Sequence, residues 1–212
     1  MIDEQVDKRT NSFWRELPIL LGVAILIAVL VRTFVLQTFF IPSPSMEPTL
    51  NIDDRVLVNK LVYTFRSPER GEVVVFRAPE SWRTSPSGED FIKRVIGVGG
   101  DRIQCCDAQK RLLVNGQPLD EPYLYSQGGV REPAADEPFD VTIPKGRLWV
   151  MGDHRSASGD SLKHWQRTND IYLATVPEDA VVGRAFVVFW PFSRAKWLSV
   201  PDSYASVPPP AR

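Results

Sequence analysis

From Leu17 to Val31 the chain carries no charged residue, and no later segment repeats that pattern. Those residues number about 15, or about 22 Å of α-helix at 1.5 Å per residue. That is short of a hydrocarbon core of roughly 30 Å. The deficit closes if Phe13 and Trp14 lie in the interface, Arg32 snorkels to the far headgroups, and Thr33 to Leu36 add one more turn. A cleaved secretory signal is the rival reading, since its apolar region is equally short and ends at a small-x-small site. Here the run passes into Val31-Arg32-Thr33-Phe34-Val35-Leu36-Gln37 without an Ala-x-Ala, and the tail before it mixes Asp3, Glu4, Asp7 and Glu16 with Lys8, Arg9 and Arg15. The pattern favours a single transmembrane anchor over 17–36 behind a short tail, 1–16. Three basic residues precede the run and one comes after it, so the positive-inside bias places the N-terminus in the cytoplasm and the remainder outside.

Beyond the anchor the chain reads as β structure. Arg55-Val56-Leu57-Val58-Asn59, Glu72-Val73-Val74-Val75-Phe76 and Arg94-Val95-Ile96-Gly97-Val98 are short β-branched runs bounded by turn residues. Leu112-Leu113-Val114 leads into Asn115-Gly116, a hairpin signal. Leu148 to Met151 and Ala185 to Trp190 complete the set, and no amphipathic helix of three or more turns stands out past residue 60. The expectation is a mainly β, coiled or barrel-like antiparallel domain over 37–199 behind one N-terminal transmembrane helix. Ala78 to Glu89 and Ser126 to Pro138 read as surface loops, and the Pro- and Ser-rich tail 200–212 as disordered. With 212 residues and 43% hydrophobic content, the chain can bury one good core besides the anchor.

Composition also excludes function classes. A net charge of −1 leaves no electrostatic footprint for nucleic acid. The two histidines, His154 and His164, fall in no metal-binding spacing, so neither a metal nor another cofactor is expected. Cys105 and Cys106 are adjacent, and closing a disulfide between neighbours strains the bridge, so they say little about redox compartment.

The chemistry concentrates in Ile41-Pro42-Ser43-Pro44-Ser45-Met46-Glu47-Pro48-Thr49-Leu50, two serines among three prolines. Proline fixes φ and removes a donor, so the segment should be stiff and extended. A serine hydroxyl becomes a nucleophile only when a nearby base takes its proton. Two residues compete for that role. His154 offers a Ser/His pair, though a loop histidine is more often a hydrogen-bonding structural residue. Lys93 lies in Asp90-Phe91-Ile92-Lys93-Arg94-Val95-Ile96-Gly97, where alternation puts Phe91, Lys93 and Val95 on one face and Ile92, Arg94 and Ile96 on the other. Desolvation there would lower the lysine pKa and make a neutral base. Periodicity alone equally describes a lysine that snorkels from an edge strand, and favours that plainer reading.

The segments Ile41 to Leu50, Arg70-Gly71-Glu72-Val73-Val74-Val75-Phe76, Phe91 to Gly97, and Met151-Gly152-Asp153-His154-Arg155-Ser156-Ala157-Ser158-Gly159-Asp160-Ser161 resemble, in order and approximate spacing, the sequence boxes of type I bacterial signal peptidases. These are membrane-bound Ser/Lys leader peptidases, and the similarity is to the Gram-positive and actinobacterial type. It runs from the anchor to about Phe192. The resemblance implies a serine endopeptidase of the plasma membrane, single-pass and monomeric, that cuts signal peptides from exported preproteins after small-x-small sites such as Ala-x-Ala. Ser45 matches the nucleophile and Lys93 the general base. Ser43 matches the hydroxyl that joins the Ser45 backbone N–H in the oxyanion hole. Ser158 matches the residue that orients the lysine amine, and Asp160 a carboxylate behind it. Asp153 and Arg155 fall in the same box, with an ion pair between structural residues as the plainer reading.

The preprotein is expected to pair as a strand with Phe39 to Ile41 and with Asp90, Phe91 and Ile92, with Ile41 and Ile92 lining pockets for small residues. Phe39, Phe40 and Trp82 are candidates to face the lipid bilayer. Three positions depart from the pattern: His154 stands where asparagine is common, Leu162 where arginine is frequent, and Gly99 where proline is frequent. Leu162 puts the partner of Asp160 in question. Two other readings stay open, a self-cleaving Ser/Lys repressor-type protease and an inactive membrane-anchored homologue that binds preproteins. The anchor and the lack of a DNA-binding helical module weigh against the first, and the presence of both Ser45 and Lys93 against the second.

Overall fold

A computed structural model describes residues 7–83 and 89–210. Residues 1–6 of the expected cytoplasmic tail, 84–88 of the loop and 211–212 lie outside the described residues, as do the side chains of Phe13, Trp14 and Thr33. The chain divides into two units, Met1–Gln37 and Thr38–Arg212.

The first unit is helical. Helix α1 spans Asp7–Leu30 and runs into a π-helical turn, Val31–Val35. The apolar side chains of Leu17, Ile19, Leu20, Leu21, Val23, Ile25, Leu26, Ile27 and Val29 are all exposed. Among the described residues, no helix is long and apolar enough to cross a membrane.

Apart from the first two residues of β1, which belong to the first unit, the second unit is built on antiparallel strands: β1 (Leu36–Phe40), β2 (Arg55–Asn59), β3 (Val73–Arg77), β4 (Asp90–Gly97), β5 (Arg102–Cys105), β6 (Leu112–Val114), β7 (Gln117–Pro118), β8 (Ser126–Gln127), β9 (Val130–Arg131), β10 (Phe139–Thr142), β11 (Arg147–Met151), β12 (Val176–Pro177), β13 (Val181–Trp190) and β14 (Lys196–Trp197). The main sheet runs β1-β2-β13-β3-β4-β11-β12 with β14 on β13, so it coils without closing on itself. Its long strand β13 pairs with both β2 and β3, and a one-turn helix, α2 (Val62–Phe65), lies between those two in the chain. β3 is buried on both faces along Val73 to Phe76, which explains why this segment is apolar without alternation. The smaller sheet, β10-β5-β6-β7, turns at Asn115-Gly116, where both residues take the positive φ (52° and 79°) that a tight hairpin requires.

Alternation along β4 divides the core. Ile92 packs with Ile41, Met46, Val56 and Val75 on one side, while Phe91 and Val95 pack with Phe76, Trp82 and Val150 on the other. A third cluster, around Ile103, Leu112 and Trp149, fills the space beneath the smaller sheet. β3 pairs with β4 from Val73↔Arg94 to Arg77↔Asp90. β11 takes the opposite side of β4 only from Arg94 onward. Asp90 to Lys93 therefore keep a free edge among the described strands, and the site lies along it.

Three expectations about connecting segments need correction. The tail is ordered as far as it is described: Asp202–Ser206 forms a 3₁₀ helix, Tyr204 and Val207 are buried, and the Tyr204 hydroxyl lies 2.6 Å from that of Tyr123. The Ala78–Glu89 segment carries a 3₁₀ turn, Glu80–Trp82, whose Trp82 is buried against Phe76 and Phe91 and so does not face lipid. Within 126–138, β8 and β9 form a hairpin, and Ala134 and Ala135 are buried. Cys105 and Cys106 are joined as a disulfide.

Candidate active site

Ser45 sits in a short 3₁₀ turn, Pro44–Met46, so the segment is not extended throughout. Ser43 just before it is extended (φ −131°, ψ 154°), and Pro44 opens the turn, where its fixed φ fits and its missing donor costs nothing. Met46 and Leu50 are fully buried and nail the turn to the core, with the Leu50 N–H donating to the Met46 carbonyl at 2.8 Å. The Ser43 and Ser45 hydroxyl oxygens are 3.3 Å apart.

Lys93 comes from the free-edged part of β4 and is 5% exposed. Its Nζ lies 2.7 Å from Ser45 Oγ, a contact across 48 residues of sequence. Burial disfavours the ammonium and lowers the amine to about 8, against the opposing pull of the Asp160 and Asp153 charges. Arg94, on the other face of the strand, is also buried but stays charged. It donates to the Asp153 carboxylate at 2.9 and 2.6 Å and lies over the Tyr123 ring at 3.9 Å. The two neighbouring bases on one strand are thus shifted in opposite directions, because one has a hydrogen-bonded carboxylate and the other does not.

The segment after β11 closes the site from behind. At Gly152 an added Cβ would overlap the Ser45 carbonyl oxygen and the Ser158 hydroxyl, so only glycine lets this backbone pass the Pro44–Met46 turn. The Ser158 side chain is buried with no hydrogen-bond partner, and it does not bond Lys93 in this arrangement. Asp160 accepts from the backbone N–H of Gly152 at 2.9 Å and of Leu162 at 3.2 Å, and caps helix α3 (Ser161–Thr168). Backbone amides therefore occupy the carboxylate whose partner Leu162 put in question, while the Leu162 side chain joins the core.

Asp153 and Arg155 do not pair with each other. Asp153 holds Arg94 and accepts from Thr49 Oγ1, and Arg155 pairs with Glu121. His154 sends its ring Nδ1 to the Pro44 carbonyl at 3.2 Å, and its backbone N–H to the Ser45 carbonyl, so it contacts the Pro44–Met46 turn without touching the Ser45 hydroxyl.

Ser43, Ser45, Lys93, Ile41, Asp90, Phe91 and Ile92 line one groove of about 540 Å³. Sequence reasoning missed Trp82 and His164, which line it too, and Gly152 and Thr49, which support it. Gly152 and Thr49 carry a signal, since each falls within a segment that resembles a family box, and Trp82 reads instead as facing lipid. No cluster of three or more His, Cys, Asp or Glu suited to a metal occurs among the described residues.

A family model described as signal peptidase, peptidase S26, matches residues 14–190. Signal peptidase I of Mycobacterium tuberculosis is 38% identical over 221 residues, which take in 87% of this chain and 75% of that protein. Probable signal peptidase I-2 of Synechocystis is 40% identical over 189 residues, 89% of this chain and 79% of that one. A solved signal peptidase I from Enterococcus faecalis is 26% identical and covers 56% of this chain and 97% of that chain, with a TM-score of 0.41.

Proposed function

The chain belongs to the signal peptidase family, peptidase S26, and from that premise we propose that it frees exported preproteins of their signal peptides with Ser45 as nucleophile and Lys93 as general base. The observation that carries this reading is the 2.7 Å approach of a buried, low-pKa lysine amine to a serine oxygen. A neutral amine accepts the hydroxyl proton as Ser45 Oγ attacks the scissile carbonyl. The oxyanion that forms is stabilised by the Ser43 hydroxyl and the Ser45 backbone N–H, where one donor is typically worth about 10²–10³ in rate. Collapse passes the proton from Lys93 to the leaving amine and leaves an acyl-enzyme on Ser45. Lys93, neutral again, then activates the water that hydrolyses it. Ser158, buried beside Gly152 with its hydroxyl unpartnered, turns to the amine during these steps, and Asp160 stiffens the backbone behind it.

The preprotein enters as a strand on the free edge of Asp90 to Lys93, with Phe39 to Ile41 on its other side. Ile41 and Ile92, which pack in one apolar cluster, leave room for small residues at the first and third positions before the cut. The dyad and the oxyanion donors all come from one chain, so a single copy suffices. The uncharged run from Leu17 to Val31 acts as the membrane anchor, since its exposed apolar side chains need a nonaqueous cover. The basic residues before it keep the N-terminus cytoplasmic and the β domain outside.

The test is cleavage of a preprotein bearing an Ala-x-Ala site by the full chain in detergent. Wild type should release the mature protein cut after the second alanine, and Ser45→Ala and Lys93→Ala should release none while keeping a wild-type circular dichroism spectrum. Cleavage by either variant refutes the dyad.

A further inference from the structure

Part of the groove lining is aromatic and is drawn from three separate segments of the chain, at Trp82, Phe91 and His164. Trp82 and His164 both line the groove, and their rings stack in parallel, centroids 4.4 Å apart at an interplanar angle of 1°. Trp82 also lies 6.4 Å from the ring of Phe91, the β4 residue between Asp90 and Ile92. The indole N–H donates to the Leu173 carbonyl at 2.8 Å, which satisfies its buried polar end and ties the ring to helix α4 (Ile171–Ala174). His164 is held by α3, which Asp160 caps at its start and left-handed Asn169 ends. Burial, then the Arg167 charge one turn on, lower the His164 pKa against the pull of Asp160 and so favour the neutral imidazole. Trp82 (4% exposed) and His164 (5%) are held in place and show the groove only a small part of their rings, and Arg167 lines the groove as well.

Side chains of a strand alternate between faces. A preprotein strand added to the free edge of β4 that turns its first and third residues before the cut toward Ile41 and Ile92 must turn its second toward the Phe91 face. We propose that Trp82, His164 and Phe91 form a subsite for the residue between the two small ones, and that it selects a large apolar or aromatic side chain there. This rests on the strand pairing proposed for the preprotein. The small-x-small rule leaves that middle position open, whereas this chain places a surface against it.

The test uses peptides with Ala-Phe-Ala, Ala-Leu-Ala and Ala-Gly-Ala before one cleavage site, cut by the full chain in detergent, with Ser45→Ala as control. The kcat/KM for Phe and Leu should exceed that for Gly by about tenfold, the range in which apolar pockets discriminate. In His164→Ala the Phe-to-Gly ratio should fall to about threefold or less, with the melting temperature of each variant recorded beside it. Trp82→Phe, which keeps the core filled, serves as the second variant and should also lower the ratio. A wild-type ratio near one, or one unchanged in both variants, overturns the subsite while the dyad stands. If no peptide is cut, or Ser45→Ala cuts as well as wild type, the dyad reading fails and the subsite with it.

Discussion

At Lys93 two opposed effects set the charge of the amine. Burial penalises the ammonium and dominates, while the carboxylates of Asp160 and, less strongly, Asp153 favour it, and the balance falls at about 8. That balance gives the sign of a perturbation. Asp160→Asn removes the larger favourable charge, so the amine should lose its proton at lower pH, and the acidic limb of the kcat/KM profile should shift below that of wild type. Asparagine still caps a helix, so this readout is separate from loss of α3. Asp153 is less suited to the same experiment, because its removal also strands the buried Arg94, which accounts for most of what that carboxylate does.

Among the elements, β4 is the most legible in sequence. Its alternation is plain in Phe91-Ile92-Lys93-Arg94-Val95-Ile96, and Phe91, Ile92, Arg94 and Val95 each lie in the cluster or pair that their face implies. The Asn115-Gly116 hairpin is equally plain, because its positive φ values demand those residue types. The features hidden from sequence depend on contacts distant along the chain. Nothing near Trp82 marks it as buried, since the backbone oxygen that takes its N–H is 91 residues away. Local composition makes 78–89 look like a loop, and at Trp82 long-range packing overrides it. The Ser43-Pro44-Ser45 turn escapes a local reading for a related reason: proline limits φ, but the buried Met46 and Leu50 decide that the chain bends there. The loop after β11 carries the sharpest prediction at this scale. Gly152→Ala sets a methyl group against the Ser45 carbonyl and Ser158. Displacement of the nucleophile by about 1 Å costs about 10² in rate, and a kinetic assay should show that loss in kcat.

At the scale of the molecule, the tail links the two β layers. Tyr204 packs against Gly71 and reaches Tyr123 with its hydroxyl, and the Pro208 carbonyl accepts from the Asn115 side chain at 2.9 Å. Tyr123 in turn lies under Arg94, next to Lys93, so a segment that reads as a disordered end supports the shelf behind Lys93. Tyr204→Ala should cost about 3 kcal/mol, or roughly 6–12 °C in Tm, from the cavity it leaves; a calorimetric scan checks it. A neutral lysine acting as base is the central claim, and the pH dependence of kcat/KM on a single Ala-x-Ala preprotein tests it most directly. Lys93 is protonated and unable to accept the Ser45 proton at low pH, so the rate should rise about tenfold per pH unit and level off near pH 8. A rate that stays flat between about pH 6 and 9 would contradict a lysine base.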